Sequence, residues 1–214
     1  MLTVVQFLHE LEYDMRIEPV RPHAAPEPRL PIGSSAPTVP AYTAVVIDVE
    51  AAMPALECFA WLAQRRGDIV RRRVADLAAK AEREGMTSAN LYRERLALIR
   101  PRRDDLDTLA SEYVAQLPPE TAFTVRRLKY KGVRVVLVSA GLRYALLRVG
   151  ARLELDLADI HGVDVRFDAL GAYTGFDALS PLAQIDGKGT LLAQLDLGAS
   201  PLVPKSLSQL ASLA

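Results

Sequence analysis

The stretch AVVIDVE, residues 44–50, is a short run of apolar and β-branched residues that ends in two acids. Such runs are typical of parallel strands that are buried on both faces of a sheet. A second run, VRVVLVS at 133–139, is followed by Ala140–Gly141 and then by a helical pattern. Because strand, small turn and helix form one parallel unit, the sequence predicts an α/β fold with a Rossmann-like, three-layer parallel sheet.

The segment between the two predicted strands has helical spacing of its apolar residues. It contains four predicted helices, separated by Gly67, Gly85 and Pro101. This pattern predicts a helical cap that is inserted after the first strand. The predicted boundaries are a cap at 54–118 and a core at 44–53 and 119–214.

The first 43 residues have a different composition. Half of the 14 prolines lie between Pro19 and Pro40, a density that neither a helix nor a sheet sustains. Residues 2–17 carry apolar side chains at helical spacing. We therefore predict an N-terminal helix and a proline-rich linker over residues 1–43.

Charge and cysteine content exclude several classes of protein. Lys and Arg together number 26, as do Asp and Glu, so no net field attracts nucleic acid or an anionic membrane. The run Arg71–Arg73 is interleaved with Asp68 and Asp76, which favours a solvated helix face over a nucleic-acid surface. Cys58 is the only cysteine, no signal peptide is evident, and no apolar run reaches the roughly 20 residues of a membrane span. We expect a cytoplasmic protein without nucleic-acid or membrane partners.

Two acids at the end of the first predicted strand are candidates for catalysis. Asp48 and Glu50 are two residues apart, so in a regular strand both side chains face the same side of the sheet. One carboxylate there can attack phosphorus and its neighbour can protonate a leaving group. The same pattern is also typical of the solvated end of any buried strand.

Two further residues point to an anion site. Ser139 precedes Ala140–Gly141, where backbone N–H groups at a helix N-terminus can hold an anion, although a serine there is also typical of a simple N-cap. Lys188 lies in the turn DGKG, where its ammonium can neutralise phosphate, although single lysines are commonly solvated.

The order and spacing of these residues resemble the phosphoserine-phosphatase branch of the haloacid-dehalogenase (HAD) superfamily. IDVEAAMPALE resembles the family's first motif, LVSAGLR the second, LGAYTG its hairpin, and Lys188 its third-motif lysine. The resemblance implies a nucleophile at Asp48 and an acid/base at Glu50. It implies phosphate binding by Ser139, Ala140, Gly141 and Lys188, and recognition of a substrate amino group by Glu57 and of a carboxylate by Arg95.

One family motif is missing, so the chain resembles a degenerate or C-terminally truncated member. The absent fourth motif supplies aspartates that hold Mg²⁺, and the only acid after Lys188 is Asp196. The resemblance therefore implies Mg²⁺ on Asp48 and Glu50, bound weakly or not at all if the loss is not compensated. The missing segment would also supply a strand, and we expect a second subunit, in a homodimer, or a rearranged tail to cover the exposed edge.

Two functions follow from this resemblance. The first is a phosphomonoester hydrolase that forms an aspartyl-phosphate on Asp48 and acts on a small phosphorylated metabolite. The alternative is a catalytically impaired homologue that binds a phosphorylated ligand or a protein partner.

Overall fold

The structure, a computed structural model, describes residues 42–84, 88–184 and 186–213. The predicted N-terminal helix and all but the last two residues of the predicted linker lie outside these ranges. Within them, no helix is both long enough and apolar enough to cross a membrane.

A parallel sheet forms the centre of the fold. Its strands are β1 (Ala44–Asp48), β2 (Arg134–Leu142), β3 (Ile160–Val163) and β6 (Pro201–Leu202), in the order β3-β2-β1-β6. All five residues of β1 pair with β2, from Ala44 opposite Arg134 to Asp48 opposite Val138. A separate antiparallel hairpin consists of β4 (Val165–Phe167) and β5 (Tyr173–Phe176). The predicted α/β fold with a parallel sheet is confirmed.

The two central strands are buried on both faces. Val45 and Val46 point to opposite faces of the sheet, and each is at most 2% exposed. The same holds for Val136 and Leu137 of β2. Their β-branched and apolar side chains therefore stabilise the sheet by packing on both sides.

Nine α-helices are described around these strands, and most of them lie between β1 and β2. Three short 3₁₀ turns, at 54–56, 157–159 and 181–183, complete the regular structure. The helices are α1 (Val49–Ala52), α2 (Cys58–Arg65), α3 (Asp68–Glu84), α4 (Ser88–Ile99), α5 (Arg103–Gln116), α6 (Glu120–Tyr130), α7 (Arg143–Arg152), α8 (Gly187–Gln194) and α9 (Leu207–Ala211).

Both central strands end at different residues from those predicted. β1 stops at Asp48, because the Asp48 carboxylate caps α1 by accepting the N–H groups of Glu50 and Ala51. β2 continues to Leu142, which is the N-cap of α7 and provides no side-chain hydrogen bond. Ser139 therefore lies inside a strand, fully buried, and the N-cap interpretation of this serine is wrong.

An ion pair between the buried Asp105 and the half-buried Arg66 joins helices of the predicted cap. Both guanidinium end nitrogens of Arg66 donate to the carboxylate of Asp105, and Arg66 also donates to the carbonyls of Ile99 and Arg100. Asp105 accepts the N–H of Arg102 at 2.7 Å. Burial alone would raise the pKa of Asp105, but its bonds to Arg66 and to the backbone outweigh this, so the pKa is lowered.

The C-terminal tail supplies the fourth strand of the sheet. β6 pairs with β1 at Ala44 and Val45, and Thr43 exchanges hydrogen bonds with Ser200. Sequence patterns predict no strand here, because a two-residue strand has no measurable periodicity. The chain's own tail thus covers the beginning of the β1 edge.

Candidate active site

Three charged side chains meet at the carboxyl end of β1. The ammonium of Lys188 donates to both carboxylate oxygens of Asp48, at 3.0 and 2.8 Å, and to Glu50 Oε2 at 2.6 Å. All three side chains are partly exposed, between 20% and 32%. The sequence predicts that Asp48 and Glu50 share one side because β1 continues, whereas the structure brings them together through the first turn of α1.

Lys188 reaches the cluster because helix α8 starts close to another turn. A Cβ atom on Gly187 would lie 1.9 Å from the carbonyl oxygen of Pro181, so only glycine permits this approach. Partial burial by itself would lower the pKa of Lys188, but its hydrogen bonds to Asp48 and Glu50 outweigh this. The pKa of Lys188 is therefore raised, and the ammonium is charged at neutral pH.

The two carboxylate oxygens of Asp48 have different partners. Oδ1 accepts the N–H groups of Glu50, at 3.1 Å, and Ala51, at 3.4 Å, in addition to Lys188. Among the contacts of the described residues, Oδ2 accepts a hydrogen bond from Lys188 alone. The oxygen with unused lone pairs is therefore Oδ2, while Oδ1 fixes the orientation of the carboxylate.

Ser139 joins the end of β2 to this cluster. Its hydroxyl donates to Glu50 Oε1 at 3.4 Å and accepts the N–H of Gly141 at 2.8 Å. A Cβ atom on Gly141 would lie 2.7 Å from the Cβ atom of Cys58 in α2, so glycine permits close packing at this strand end. The N–H of Gly141, predicted to hold phosphate, is donated to Ser139 in this structure.

A cavity of about 260 Å³ opens beside the cluster. It brings together four residues that the sequence selects from distant positions: Glu50, Glu57, Arg95 and Ala140. Its remaining lining residues are Phe59, Leu91, Tyr92, Leu182, Ala183 and Gln184. Asp48, Ser139 and Lys188 connect to this cavity through their hydrogen bonds with Glu50.

Glu57 and Arg95 place opposite charges on the wall of the cavity. The carboxylate of Glu57 caps α2 by accepting the N–H groups of Phe59 and Ala60, which fixes its position. The guanidinium of Arg95 lies 5.4 Å from the ring centroid of Phe59. Its Nε atom is buried and has no hydrogen-bond partner among the described residues, so it is a donor in need of an acceptor.

Sequence reasoning missed three parts of the cavity wall. Phe59 belongs to an apolar helical stripe, which is typical of packing, yet it also lines the cavity. Tyr92 gave no signal because it belongs to an apolar helical stripe, although its position one turn before Arg95 could have drawn attention to it. The turn 181–183 gave no signal at all.

The residues at this end of β1 do not fit a tightly held magnesium ion. Both predicted ligands, Asp48 and Glu50, are bonded to the ammonium of Lys188. No group of three or more His, Cys, Asp or Glu side chains that could hold a metal occurs among the described residues. The carbonyl of Asp196 accepts from Arg134 at the opposite end of β2, so this acid does not replace the missing ligands.

Solved structures share this fold. A structure described as a phospho-aspartyl intermediate analogue of phosphoserine phosphatase superposes with a TM-score of 0.54, at 16% identity, covering 76% of this chain and 77% of that one. A probable phosphoserine phosphatase from Vibrio cholerae gives a TM-score of 0.54 at 22% identity, covering 77% of this chain and 51% of that one. At these identities the likeness concerns the fold.

Curated relatives extend the likeness to sequence. The chain is 32% identical to phosphoserine phosphatase of Rattus norvegicus over 152 residues, which covers 71% of this chain and 67% of the rat protein. It is 31% identical to the Mus musculus enzyme and 32% identical to the Homo sapiens enzyme, covering 65% and 56% of their lengths. No family model matches. With its parallel sheet, its cluster at the end of β1 and these relatives, the chain belongs to the phosphoserine-phosphatase-like branch of the HAD superfamily.

Proposed function

We propose that this protein is a phosphomonoester hydrolase that transfers the phosphoryl group of a small metabolite to Asp48. The observation that carries the proposal is the Lys188 ammonium between Asp48 and Glu50, which in the described part of the chain is the one hydrogen-bond partner of Asp48 Oδ2. The relatives named phosphoserine phosphatase support the same reaction class.

In the first half of the proposed reaction, Asp48 Oδ2 attacks phosphorus and the bond from phosphorus to the ester oxygen breaks. Glu50 acts as the general acid and gives a proton to the leaving oxygen, so an alcohol departs. Lys188 and the hydroxyl of Ser139 lie where they can offset the negative charge that develops on the phosphoryl oxygens.

In the second half, a water molecule attacks the phosphorus of the aspartyl-phosphate. Glu50, now a carboxylate, accepts a proton from this water, and the bond between phosphorus and Asp48 breaks. Inorganic phosphate leaves and both carboxyl groups return to their starting states. The same side chain thus acts first as an acid and then as a base.

The cavity charges favour a substrate that resembles an amino acid. Glu57 is a fixed carboxylate that can accept from a substrate ammonium, and the unpartnered Arg95 Nε can donate to a substrate carboxylate. A volume of about 260 Å³ suits a small metabolite. We therefore propose phosphoserine or a close analogue as substrate, for a cytoplasmic enzyme.

Magnesium is proposed to bind weakly, because its predicted carboxylate ligands are bonded to Lys188. This observation also favours the second candidate function, a homologue that binds a phosphorylated ligand without turning it over. In the hydrolase proposal, the positive charge beside Asp48 would then come from Lys188.

Release of phosphate from p-nitrophenyl phosphate and from phosphoserine, at millimolar magnesium and without it, tests the proposal. We expect turnover by the unchanged chain and none above background by Asp48→Asn. If the two proteins release phosphate at the same rate, the hydrolase proposal is wrong. Binding of phosphoserine in a calorimetric titration would then support the second candidate function, a homologue that binds a phosphorylated ligand without turnover.

A further inference from the structure

Tyr92 occupies a junction between the predicted cap and the core. Its hydroxyl donates to the carbonyl of Ala140, 3.0 Å away, the residue that follows Ser139 in β2. Tyr92 is 6% exposed and lines the cavity. Helix α4, which carries it, is thereby fastened to the strand end that holds the candidate phosphate site.

The ring of Tyr92 is held between two other aromatic rings. Phe59 of α2 meets it edge to face at a centroid distance of 4.8 Å, and Phe176 of β5 lies 5.1 Å away at 30°. Aromatic pairs at these distances restrict each other's orientation. These contacts favour the ring orientation in which the hydroxyl reaches the carbonyl of Ala140 in β2.

Tyr92 and Arg95, which are one helical turn apart on α4, lie against the same aromatic ring. The guanidinium of Arg95 stands over the ring of Phe59, the same ring that Tyr92 contacts. Burial raises the pKa of Tyr92 well above its usual value, so the hydroxyl keeps its proton and remains a donor. Nothing in the proposed chemistry requires this donor.

We infer that Tyr92 is a positioning residue, whose hydrogen bond to Ala140 fixes the Arg95 end of the cavity relative to the Ser139 and Glu50 end. This inference rests on the proposed function for its substrate, since the two ends matter together only for a ligand that spans them. A ligand with a phosphate but no amino-acid moiety uses one end alone.

Tyr92→Phe removes the hydroxyl and keeps the ring, and Tyr113→Phe is its matched control. The hydroxyl of Tyr113 is also buried and donates to the Leu56 carbonyl at 3.0 Å, but Tyr113 does not line the cavity. We expect Tyr92→Phe to raise KM for phosphoserine about threefold to tenfold, the equivalent of one neutral hydrogen bond. The KM of Tyr92→Phe for p-nitrophenyl phosphate should equal that of the unchanged chain. The KM values of Tyr113→Phe should be unchanged for both substrates.

Equal changes for the two substrates, or no change for either, would overturn the inference. If the unchanged chain hydrolyses neither substrate, the proposed function fails, and hydrogen exchange of the α4 amides decides the inference separately. Faster exchange across 88–99 in Tyr92→Phe, but not in Tyr113→Phe, supports the fastening role. The same exchange rate in Tyr92→Phe and the unchanged chain contradicts it.

Discussion

Two charged sites of this chain differ in how their charges are paired: Arg66 with Asp105, and Lys188 with Asp48 and Glu50. Arg66 and Asp105 form a bidentate pair that is also bonded to the carbonyls of Ile99 and Arg100 and to the N–H of Arg102. Lys188 bonds both carboxylates at the end of β1, beside a cavity, and among the described residues it is the one hydrogen-bond partner of Asp48 Oδ2.

The difference separates an ion pair with a structural role from a charged cluster that is proposed to react. At Arg66 and Asp105 both charged groups are bonded to each other and to the ends of neighbouring segments, so the pair joins helices and has no capacity for a ligand. At Lys188 a point charge faces two acids, and one oxygen can still react. The contrast predicts that changes at the first pair affect folding and changes at the second affect chemistry.

The largest effect on stability is expected from Asp105→Asn. This change leaves the guanidinium of Arg66, whose side chain is 25% exposed, without the counter-charge of Asp105, which should lower the free energy of unfolding by about 2 kcal/mol. Urea denaturation measures this loss. Glu154→Gln is the matched control, because the pair of Glu154 with Arg126 is more than half exposed and should contribute under about 1 kcal/mol. A similar loss for both variants would contradict the structural role of Arg66 and Asp105.

Lys188→Met should show the opposite pattern. We expect phosphate release to fall by about 10²–10³-fold, since the cation proposed to face the phosphoryl group is lost. The free energy of unfolding should change by only about 1 kcal/mol, because the cluster is partly exposed to water. Rates and urea midpoints are compared with those of Lys205→Met, a change at an exposed lysine in the tail. Unaltered turnover in Lys188→Met would remove this lysine from the proposed site.

Arg95→Met should affect substrate choice alone. Without the guanidinium, KM for phosphoserine is expected to rise about tenfold, as for the loss of one charged hydrogen bond, whereas p-nitrophenyl phosphate should be hydrolysed as before. Steady-state kinetics with both substrates measure the difference. Equal losses on the two substrates would mean that Arg95 supports the fold and does not read a carboxylate.

The smallest expected effects concern the pH dependence of stability. The contribution of Asp105 is lost at acid pH, and the contribution of Lys188 is lost at alkaline pH. Because the pKa of Asp105 is lowered on folding, its contribution is present above the ordinary aspartate pKa of about 3.9 and is lost as pH falls through the lowered value. Because the pKa of Lys188 is raised, its contribution is present below the ordinary lysine pKa of about 10.4 and is lost as pH rises through the raised value. The urea midpoint of Asp105→Asn should differ from that of the unchanged chain at neutral pH, and the two should converge as pH falls through the lowered pKa of Asp105. The urea midpoint of Lys188→Met should also differ from that of the unchanged chain at neutral pH, and the two should converge as pH rises through the raised pKa of Lys188.

Sequence patterns predicted the parallel sheet and the acids at the end of β1, because buried parallel strands consist of continuous apolar runs. They could not place Lys188 against Asp48, since 140 positions separate these residues and only the family resemblance connects them. They also could not distinguish Asp105 from the solvated acids around it, because an Arg and an Asp on helices have the same pattern whether they are buried or exposed.

Sequence patterns also failed to predict some details of local backbone geometry. Alternation along a strand predicts that Asp48 and Glu50 face one side, but the Asp48 carboxylate ends the strand by capping α1. The cavity role of Tyr92 could not be predicted, because this residue belongs to an apolar helical stripe. The strand Pro201–Leu202 could not be predicted, because two residues show no periodicity. These features depend on tertiary contacts, which single-sequence periodicity does not contain.

The central claim is that Asp48 accepts a phosphoryl group. Acid quenching during turnover of phosphoserine, followed by peptide mass spectrometry, measures this directly. We expect a phosphoryl group on the peptide that contains Asp48, acid-stable but released by hydroxylamine, and none in Asp48→Asn. Phosphate release by the unchanged chain with no phosphoryl group on that peptide, or with one on another residue, would contradict it.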